Sequence, residues 1–182
     1  YLKAAVDSVI GQAYERWELC VLDDCSGSTV AANLMVEYQD EPRIRFERRT
    51  ANGGIALASQ SAAEMATGEF LGFLDHDDVM RPHALFEVAQ HLRAHAEDDV
   101  VYSDEDKLDP FGRRVGAHLK PDWSPELLES CNYICHFTVI RHTLFNEVGG
   151  FRTGFDGSQD HDLFLRSTER ARSVGHIPKA LY

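Results

Sequence analysis

The sequence predicts an α/β fold in which helices cover both faces of a mostly parallel β-sheet. Helical and strand-like hydrophobic periods alternate from the first residue onward, a rhythm typical of strand–helix–strand units. The predicted strands are short, continuous apolar runs, as expected for strands that are buried on both faces. Acidic residues directly follow two of these runs, where the carboxyl ends of strands in such sheets bind ligands.

The first 103 residues repeat a helix and a strand four times. The predicted helices cover residues 2–13, 30–38, 55–65 and 82–95. The predicted strands cover residues 17–22, 44–46, 69–74 and 100–103. Apolar residues at a spacing of three or four indicate the helices, and uninterrupted apolar runs indicate the strands. Because parallel strands are joined by right-handed crossovers, the repeats predict helices packed against the sheet.

From residue 104 onward the alternation stops. Residues 104–125 combine an acidic stretch, a Phe-Gly-Arg turn signal and two prolines, which indicates a loop or hairpin over the sheet. A strand near residues 134–140, a short helix ending at residues 149–150 and a helix over residues 159–172 follow. The acidic run 104–109 lacks the ligand spacing of a calcium loop, so it is predicted as a solvated turn or as a flank of the substrate cleft.

The composition excludes several classes of function. The 182-residue chain has a net charge of −12 at pH 7, whereas a nucleic-acid partner requires clustered Lys and Arg. No apolar run approaches the roughly 18 residues that a membrane helix needs, and no signal peptide is recognisable. The four cysteines lack the paired spacing of a zinc site, so a reduced, cytosolic protein of one domain is expected.

The sharpest candidate site is the segment Asp75-His76-Asp77-Asp78, which directly follows an apolar strand. Asp75 and Asp77 on one tight turn could reach a hard divalent cation or a metal-bound diphosphate. Mg²⁺ or Mn²⁺ at this point would neutralise charge on a departing diphosphate. Aspartate also favours turns after strands for purely local reasons, but three aspartates within four residues favour a function.

Two further segments are weaker candidates for binding a nucleotide. A carboxylate of Asp23 or Asp24, at the end of the first predicted strand, could accept hydrogen bonds from a nucleobase or ribose. Asn52, Gly53 and Gly54 precede a helix, and the glycines would let the backbone approach a ligand closely. A plain turn before the helix is the alternative interpretation of the second segment.

Asp160 is the candidate base. It lies at the start of a predicted helix, where the helix dipole favours an ionised carboxylate by about 0.3–1 kcal/mol. An ordinary acidic first turn of a helix is the alternative interpretation of the same pattern.

The order of the donor-side segments resembles that of the family 2 inverting glycosyltransferases. The segments that carry the resemblance are Asp23-Asp24-Cys25-Ser26, then Asn52-Gly53-Gly54-Ile55-Ala56, and then Asp75-His76-Asp77-Asp78. The later segment Ser158-Gln159-Asp160-His161-Asp162-Leu163 is similar to the acceptor-side segment of that family. Residues 102–106 and 120–124 are similar to a bacterial subgroup that builds surface polysaccharides.

The resemblance implies the GT-A fold, an αβα sandwich with one continuous sheet. Residues 1–103 would then form the nucleotide-binding part of a single domain, and residues 104–182 the acceptor-side part. Asp75 and Asp77 would form the DXD element, with Asp77 the direct metal ligand, and Asp160 would be the catalytic base. The residues expected to bind the donor nucleotide, with Asp24 at the nucleobase, are Asp23, Asp24, Asn52, Gly53, Gly54 and Asp75.

The implied reaction moves a hexosyl or deoxyhexosyl group from a UDP- or dTDP-sugar to a saccharide or lipid-linked saccharide, with inversion. It would require Mn²⁺ or Mg²⁺ and would take place in the cytoplasm, at the inner face of the membrane. Two alternatives stay open. Residues 74–79 mimic the nucleophile motif of haloacid-dehalogenase phosphatases, although at least two βα units precede them, and the chain could also be a sugar-nucleotide-binding domain without turnover.

The chain departs from the family pattern at three points. The first strand of the family is expected before Tyr1, and a His or Trp-Arg segment is expected after Tyr182. Gln159 occupies a position where the family often has Glu. A fragment truncated at both ends is therefore expected, with weakened donor binding or activity.

Overall fold

The α/β class is confirmed by a computed structural model, which describes residues 1–182. The seven helices are α1 (Leu2–Ile10), α2 (Val30–Met35), α3 (Gly54–Met65), α4 (Ala84–Ala94), α5 (Pro125–Ser130), α6 (His142–Glu147) and α7 (Gln159–Arg170). The seven strands are β1 (Leu19–Asp23), β2 (Ile44–Arg48), β3 (Phe70–Gly72), β4 (Asp98–Leu108), β5 (Arg114–His118), β6 (Thr138–Arg141) and β7 (Ser173–Ala180). None of the helices combines the length and the apolar character that crossing a membrane requires.

The strand pairing is mixed, where the sequence predicts a mostly parallel sheet. The pairs β1–β2 and β4–β7 are parallel, whereas β3–β6, β6–β4 and β4–β5 are antiparallel. Strand β6 lies between β3 and β4 and runs against both. The direction of a strand that is buried on both faces leaves no mark in a uniformly apolar run, so the sequence pattern could not reveal this reversal.

The strands form two hydrogen-bonded sheets, one of β1 and β2 and the other of the remaining five. A cavity of about 890 Å³ opens between Leu19 of β1 and the β3 residues Phe70 and Gly72. The continuous sheet that the resemblance implies is interrupted at this cavity, because no strand within residues 1–182 lies between the facing edges of β1 and β3.

Two hydrophobic clusters pack on opposite faces of the larger sheet. Val100 and Tyr102 of β4 belong to the cluster that includes residues of α5, α6 and α7. Val101, between them, belongs to the cluster that includes Ala84 and Val88 of α4. Successive side chains of a strand point to opposite faces, so β4 contributes to both clusters and the molecule is a three-layered αβα sandwich.

The acidic run after residue 103 is part of a strand, which corrects the predicted solvated turn. Strand β4 continues to Leu108 and forms a hairpin with β5. Asp104 is only 3% exposed. Its carboxylate accepts a hydrogen bond from the backbone N–H of Lys120, at 2.9 Å, and lies 2.9 Å from Nε2 of His176. Asp106 pairs with two arginines, and paired carboxylates of this kind tolerate burial.

Candidate active site

Asp24 and the segment Asn52-Gly53-Gly54, two separate candidates in the sequence, are in contact in the structure. The Asp24 carboxylate accepts hydrogen bonds from the backbone N–H groups of Gly53, at 3.0 Å, and Gly54, at 2.9 Å. The Asn52 side chain donates to the backbone carbonyl of Asp24 at 2.9 Å. The loop after β1 is therefore fastened to the N-terminus of α3, where unpaired backbone N–H groups require partners.

Gly54 lies where this loop approaches the segment before α7. Its φ of +81° lies in the left-handed region, which disfavours side chains. A Cβ atom at this position would also lie 3.0 Å from Oδ1 of Asp156. The same Asp156 oxygen accepts a hydrogen bond from the backbone N–H of Ala56 at 3.4 Å. The loop that precedes α7 thus contacts the first turn of α3.

Asp23 is buried at the end of β1 and is held on two sides. Oδ1 accepts a hydrogen bond from the backbone N–H of Ser26 at 2.8 Å, and Oδ2 lies 3.2 Å from Nε of Arg48. The hydrogen bonds from Ser26, aided by Arg48, lower the pKa of Asp23 despite its burial. These contacts hold the loop after β1 in place, and that loop also carries Asp24.

The acidic turn, residues 75–78, begins three residues after Gly72, the last residue of β3. One ligand atom each from Asp75, Asp78 and His136 lie within 4.8 Å of one another. His136 Nε2 is 3.6 Å from Oδ2 of Asp75. Asp77 is not part of this group. Its side chain is 57% exposed, and its carboxylate lies 3.7 Å from Nδ1 of His76. The structure thus brings together Asp75 and a histidine that the sequence analysis did not single out.

The charges in this group perturb one another. Burial raises the pKa of Asp75, and the neighbouring carboxylates of Asp78 and Asp77 raise it further against the opposing effect of His136. Burial by itself lowers the pKa of His136, but Cys135 and the carboxylates of Asp75 and Asp78 outweigh it and raise that pKa to about 9. The carboxylates of the acidic turn thus disfavour further negative charge on Asp75 and favour positive charge on His136.

The donor set fits a divalent metal ion. Two carboxylates and an imidazole converge from different segments, and carboxylate oxygens are the ligands that Mg²⁺ and Mn²⁺ prefer in proteins. Tyr182 holds the backbone of the turn, because its hydroxyl accepts a hydrogen bond from the backbone N–H of Asp75 at 3.1 Å. Its ring stacks on the His136 imidazole, with centroids 5.0 Å apart.

A buried lysine fixes the segment that carries His136. The Lys120 side chain is fully buried and donates to the backbone carbonyl of Ile134, at 2.7 Å, and to that of His136. Its Nζ also lies 3.0 Å from the Glu105 carboxylate. Burial lowers the pKa of Lys120 although Glu105 opposes the shift. The acidic strand β4 thus supports the loop before β6 from inside the molecule.

Asp160 occupies the first turn of α7, as predicted, and its carboxylate is oriented by two donors. The backbone N–H of His161 donates to Oδ1, and the side chain of Asn132 donates to Oδ2, both at 2.8 Å. Oδ1 of Asn132 is buried and has no hydrogen-bond partner. Asp162, two residues later, is instead neutralised by Arg152 and Arg166. Asp160 is the carboxylate of this turn that has no cation beside it.

Solved structures with the same fold extend these observations. TarS from S. aureus in complex with UDP-GlcNAc superposes with a TM-score of 0.83 at 21% identity, over 100% of this chain and 54% of that chain. The mannosyltransferase PcManGT from Pyrobaculum calidifontis, in complex with GDP-Man and Mn²⁺, gives a TM-score of 0.73 at 18% identity, over 98% and 51%. These similarities establish the GT-A fold that the sequence resemblance implies.

Sequence relatives point in the same direction. The O-antigen biosynthesis protein RfbC of Myxococcus xanthus is 42% identical over 100% of this chain and 14% of its own length. The chain spans 20% and 14% of the two relatives that match it at more than 40% identity. Neither the relatives nor the fold favours the phosphatase alternative. The profile described as Glycosyl transferase family 2 matches residues 1–152, and the chain therefore belongs to that family.

Proposed function

We propose that this chain is the catalytic part of a metal-dependent, inverting glycosyltransferase that contributes to a bacterial cell-surface polysaccharide. The observation that carries the proposal is the acidic turn after β3, where the Asp75 and Asp78 carboxylates converge with His136 and could hold a cation, in a chain of family 2. The name of the relative RfbC, an O-antigen biosynthesis protein, supports the polysaccharide role.

The donor is proposed to be a sugar linked to a nucleoside diphosphate, of the UDP or dTDP type. Complexes of TarS with UDP-GlcNAc and of PcManGT with GDP-Man support this class of donor. Residues 1–103 would bind the nucleotide through the loop after β1 and the start of α3. Asp24, which is already fixed by Gly53 and Gly54, is proposed to lie at the nucleobase.

The acidic turn is proposed to hold Mn²⁺ or Mg²⁺, with Asp75 and Asp77 as ligands. The Asp77 carboxylate would have to turn toward the ion, because it lies outside the group that Asp75 forms with Asp78 and His136. The PcManGT complex, which contains Mn²⁺, supports a divalent ion. The bound ion would offset the negative charge that develops on the leaving nucleoside diphosphate. Asp75, 52% exposed on its side chain, is accessible to a ligand that enters from solvent.

Asp160 is proposed to remove the proton from the acceptor hydroxyl as that oxygen attacks the anomeric carbon. The two hydrogen bonds from His161 and Asn132 fix the carboxylate, and no cation neutralises it, so it can act as a general base. Attack from the face opposite the diphosphate inverts the configuration. Residues 104–182 would bind the acceptor, a saccharide or a lipid-linked saccharide at the cytoplasmic face of the membrane.

Calorimetric titration of UDP and dTDP, each with and without Mn²⁺, tests the proposal on the whole chain. Nucleotide binding should require Mn²⁺ and should be lost in Asp77→Ala. The matched control is Asp40→Ala, which removes an exposed carboxylate far from β3 in sequence and should leave binding unchanged. Binding that is indifferent to Mn²⁺ would contradict metal dependence, and metal-dependent binding without sugar transfer would favour a binding domain without turnover.

A further inference from the structure

His136 is brought to the acidic turn by the pairing of two strands. Strands β3 and β6 are antiparallel, with Gly72 opposite Val139. The turn after β3, which carries Asp75, and the segment before β6, which carries His136, therefore leave the sheet at the same end. This common exit brings the two side chains within 3.6 Å of each other.

The spacing of the ligand atoms is close to that around a single ion. Ligands bound at about 2.1 Å in octahedral geometry lie about 3.0 Å apart when adjacent and about 4.2 Å apart when opposite. His136 Nε2 and Asp75 Oδ2 are 3.6 Å apart, and the three ligand atoms with Asp78 lie within 4.8 Å. Small side-chain rotations would suffice to bring all three to one ion.

The orientation of the imidazole is fixed before any ion binds. Its ring lies against the Tyr182 ring at an interplanar angle of 15°, and the Tyr182 hydroxyl is itself bonded to the backbone of Asp75. The backbone carbonyl of His136 is held by the buried Lys120. Packing contacts of this kind hold a side chain in one orientation, which favours binding when that orientation suits the ligand.

We propose that His136 is a nitrogen ligand of the divalent ion, together with Asp75 and Asp78 and in addition to Asp77 of the proposed function, and that it makes the site prefer Mn²⁺ to Mg²⁺. This role deepens the proposed function and rests on it. Mg²⁺ is bound in proteins almost entirely by oxygen atoms, whereas an imidazole suits transition-metal ions better and Mn²⁺ is the first member of that series. A protonated His136 that only pairs with Asp75 is the competing interpretation.

Pulsed electron paramagnetic resonance of the whole chain loaded with Mn²⁺, in the presence of UDP, separates the two. Direct coordination predicts ¹⁴N modulation of the Mn²⁺ signal, replaced by a ¹⁵N pattern when histidine is ¹⁵N-labelled. The modulation should disappear in His136→Gln and persist in His83→Gln, which alters an exposed histidine at the start of α4. His136→Asn provides a second variant if His136→Gln does not fold.

Metal affinities provide a second measurement. Loss of the imidazole should weaken Mn²⁺ binding by about tenfold or more and change Mg²⁺ binding much less, so that the preference for Mn²⁺ falls. Bound Mn²⁺ without nitrogen coupling would overturn the role of His136 and leave the proposed function intact. A wild-type chain that binds no Mn²⁺ even with UDP present would overturn both proposals.

Discussion

The chain contains two acidic runs of similar composition that the fold treats in opposite ways. Asp104, Glu105 and Asp106 lie in β4, and each carboxylate is matched by a cationic or N–H partner. In the turn after β3, the carboxylates of Asp75 and Asp78 both lie near a single histidine, His136. Carboxylates that already have a cationic or N–H partner contribute to the fold. Carboxylates with oxygen atoms that can still accept a ligand are candidates for a binding or catalytic site.

The largest predicted effect is on the rate of sugar transfer and concerns Asp160, a third candidate carboxylate, which has no cationic partner. Asp160→Asn should reduce sugar transfer by about 10²–10⁴-fold, the usual contribution of a general base. Nucleotide binding should be unchanged, because Asn keeps the shape and the contact with Asn132. Initial rates and UDP titrations on the same preparation measure both. Transfer at a near-normal rate would remove Asp160 from the mechanism and weaken the comparison with the paired carboxylates.

The next largest effect is on the free energy of unfolding, which should respond differently to substitutions in the acidic run of β4 and in the acidic turn. Asp106 has a side chain only 5% exposed and contacts Arg81 and Arg114 at 2.6 Å each. Asp106→Ala leaves two partly buried guanidinium groups without their partner and should lower the free energy of unfolding by about 2–4 kcal/mol. Asp77→Ala, in the exposed turn, should change it by less than about 0.5 kcal/mol.

Urea unfolding of the two variants, followed by circular dichroism, provides the measurement. Equal losses of stability would show that the two acidic runs do not differ in the way that their contacts indicate.

A smaller effect should follow from removing the side chain that orients Asp160. The Asn132 side chain donates to Oδ2 of Asp160 at 2.8 Å. The free energy of a hydrogen bond to a charged group is large enough that its loss changes a rate by about tenfold. Asn132→Ala should therefore lower kcat by about tenfold with little change in KM, which identifies a positioning residue. Asn132→Asp should be slower still, because it places like charges together.

The control for Asn132 is the free energy of unfolding. If the loss of kcat follows a loss of stability across the two variants, the residue has only a structural role.

The smallest effect concerns pH. Hydrogen bonds from Arg172, supported by Arg141, hold the pKa of Asp99 well below its usual range despite burial. A carboxyl whose pKa is depressed in the folded state stabilises it above the unfolded pKa of about 3.9, and this contribution is lost as pH falls. Stability should decrease between about pH 5 and pH 2, and Asp99→Asn should flatten that slope by at most about 1.4 kcal/mol per pH unit.

Chemical unfolding at a series of pH values measures the slope for both proteins. An identical slope in Asp99→Asn would show that other carboxylates account for the acid sensitivity.

The sequence predicts what is local and misses what is distant. The helix–strand repeats up to residue 103 were recoverable because hydrophobic period is a property of adjacent residues. The burial of Asp106 depends on Arg81 and Arg114. The sequence around Asp106 does not reveal that Arg81 will pair with it. The same reason explains why the sheet is more mixed than expected. Helix α5 is different, because the Ser124 cap followed by Pro125 is a local start signal that was overlooked.

The candidate site divides in the same way. Asp75 and Asp160 follow a strand and begin a helix, positions that a local pattern identifies. His136 lies beside Asp75 because β6 runs antiparallel to β3 and begins where β3 ends, and the reversal of β6 was not predicted. Asn132 is likewise distant in sequence from Asp160.

Strand β4 has a practical consequence for exchanging specificity between relatives. It extends from Asp98 to Leu108 and pairs with three other strands, so the proposed division between residues 103 and 104 cuts through the centre of the sheet. A chimera joined there would have to rebuild the hydrogen bonds of that strand across two parental sequences. A junction at the β4–β5 turn around Gly112, where the backbone is exposed and the φ of +75° already demands glycine, would exchange acceptor-side segments and keep the strand whole.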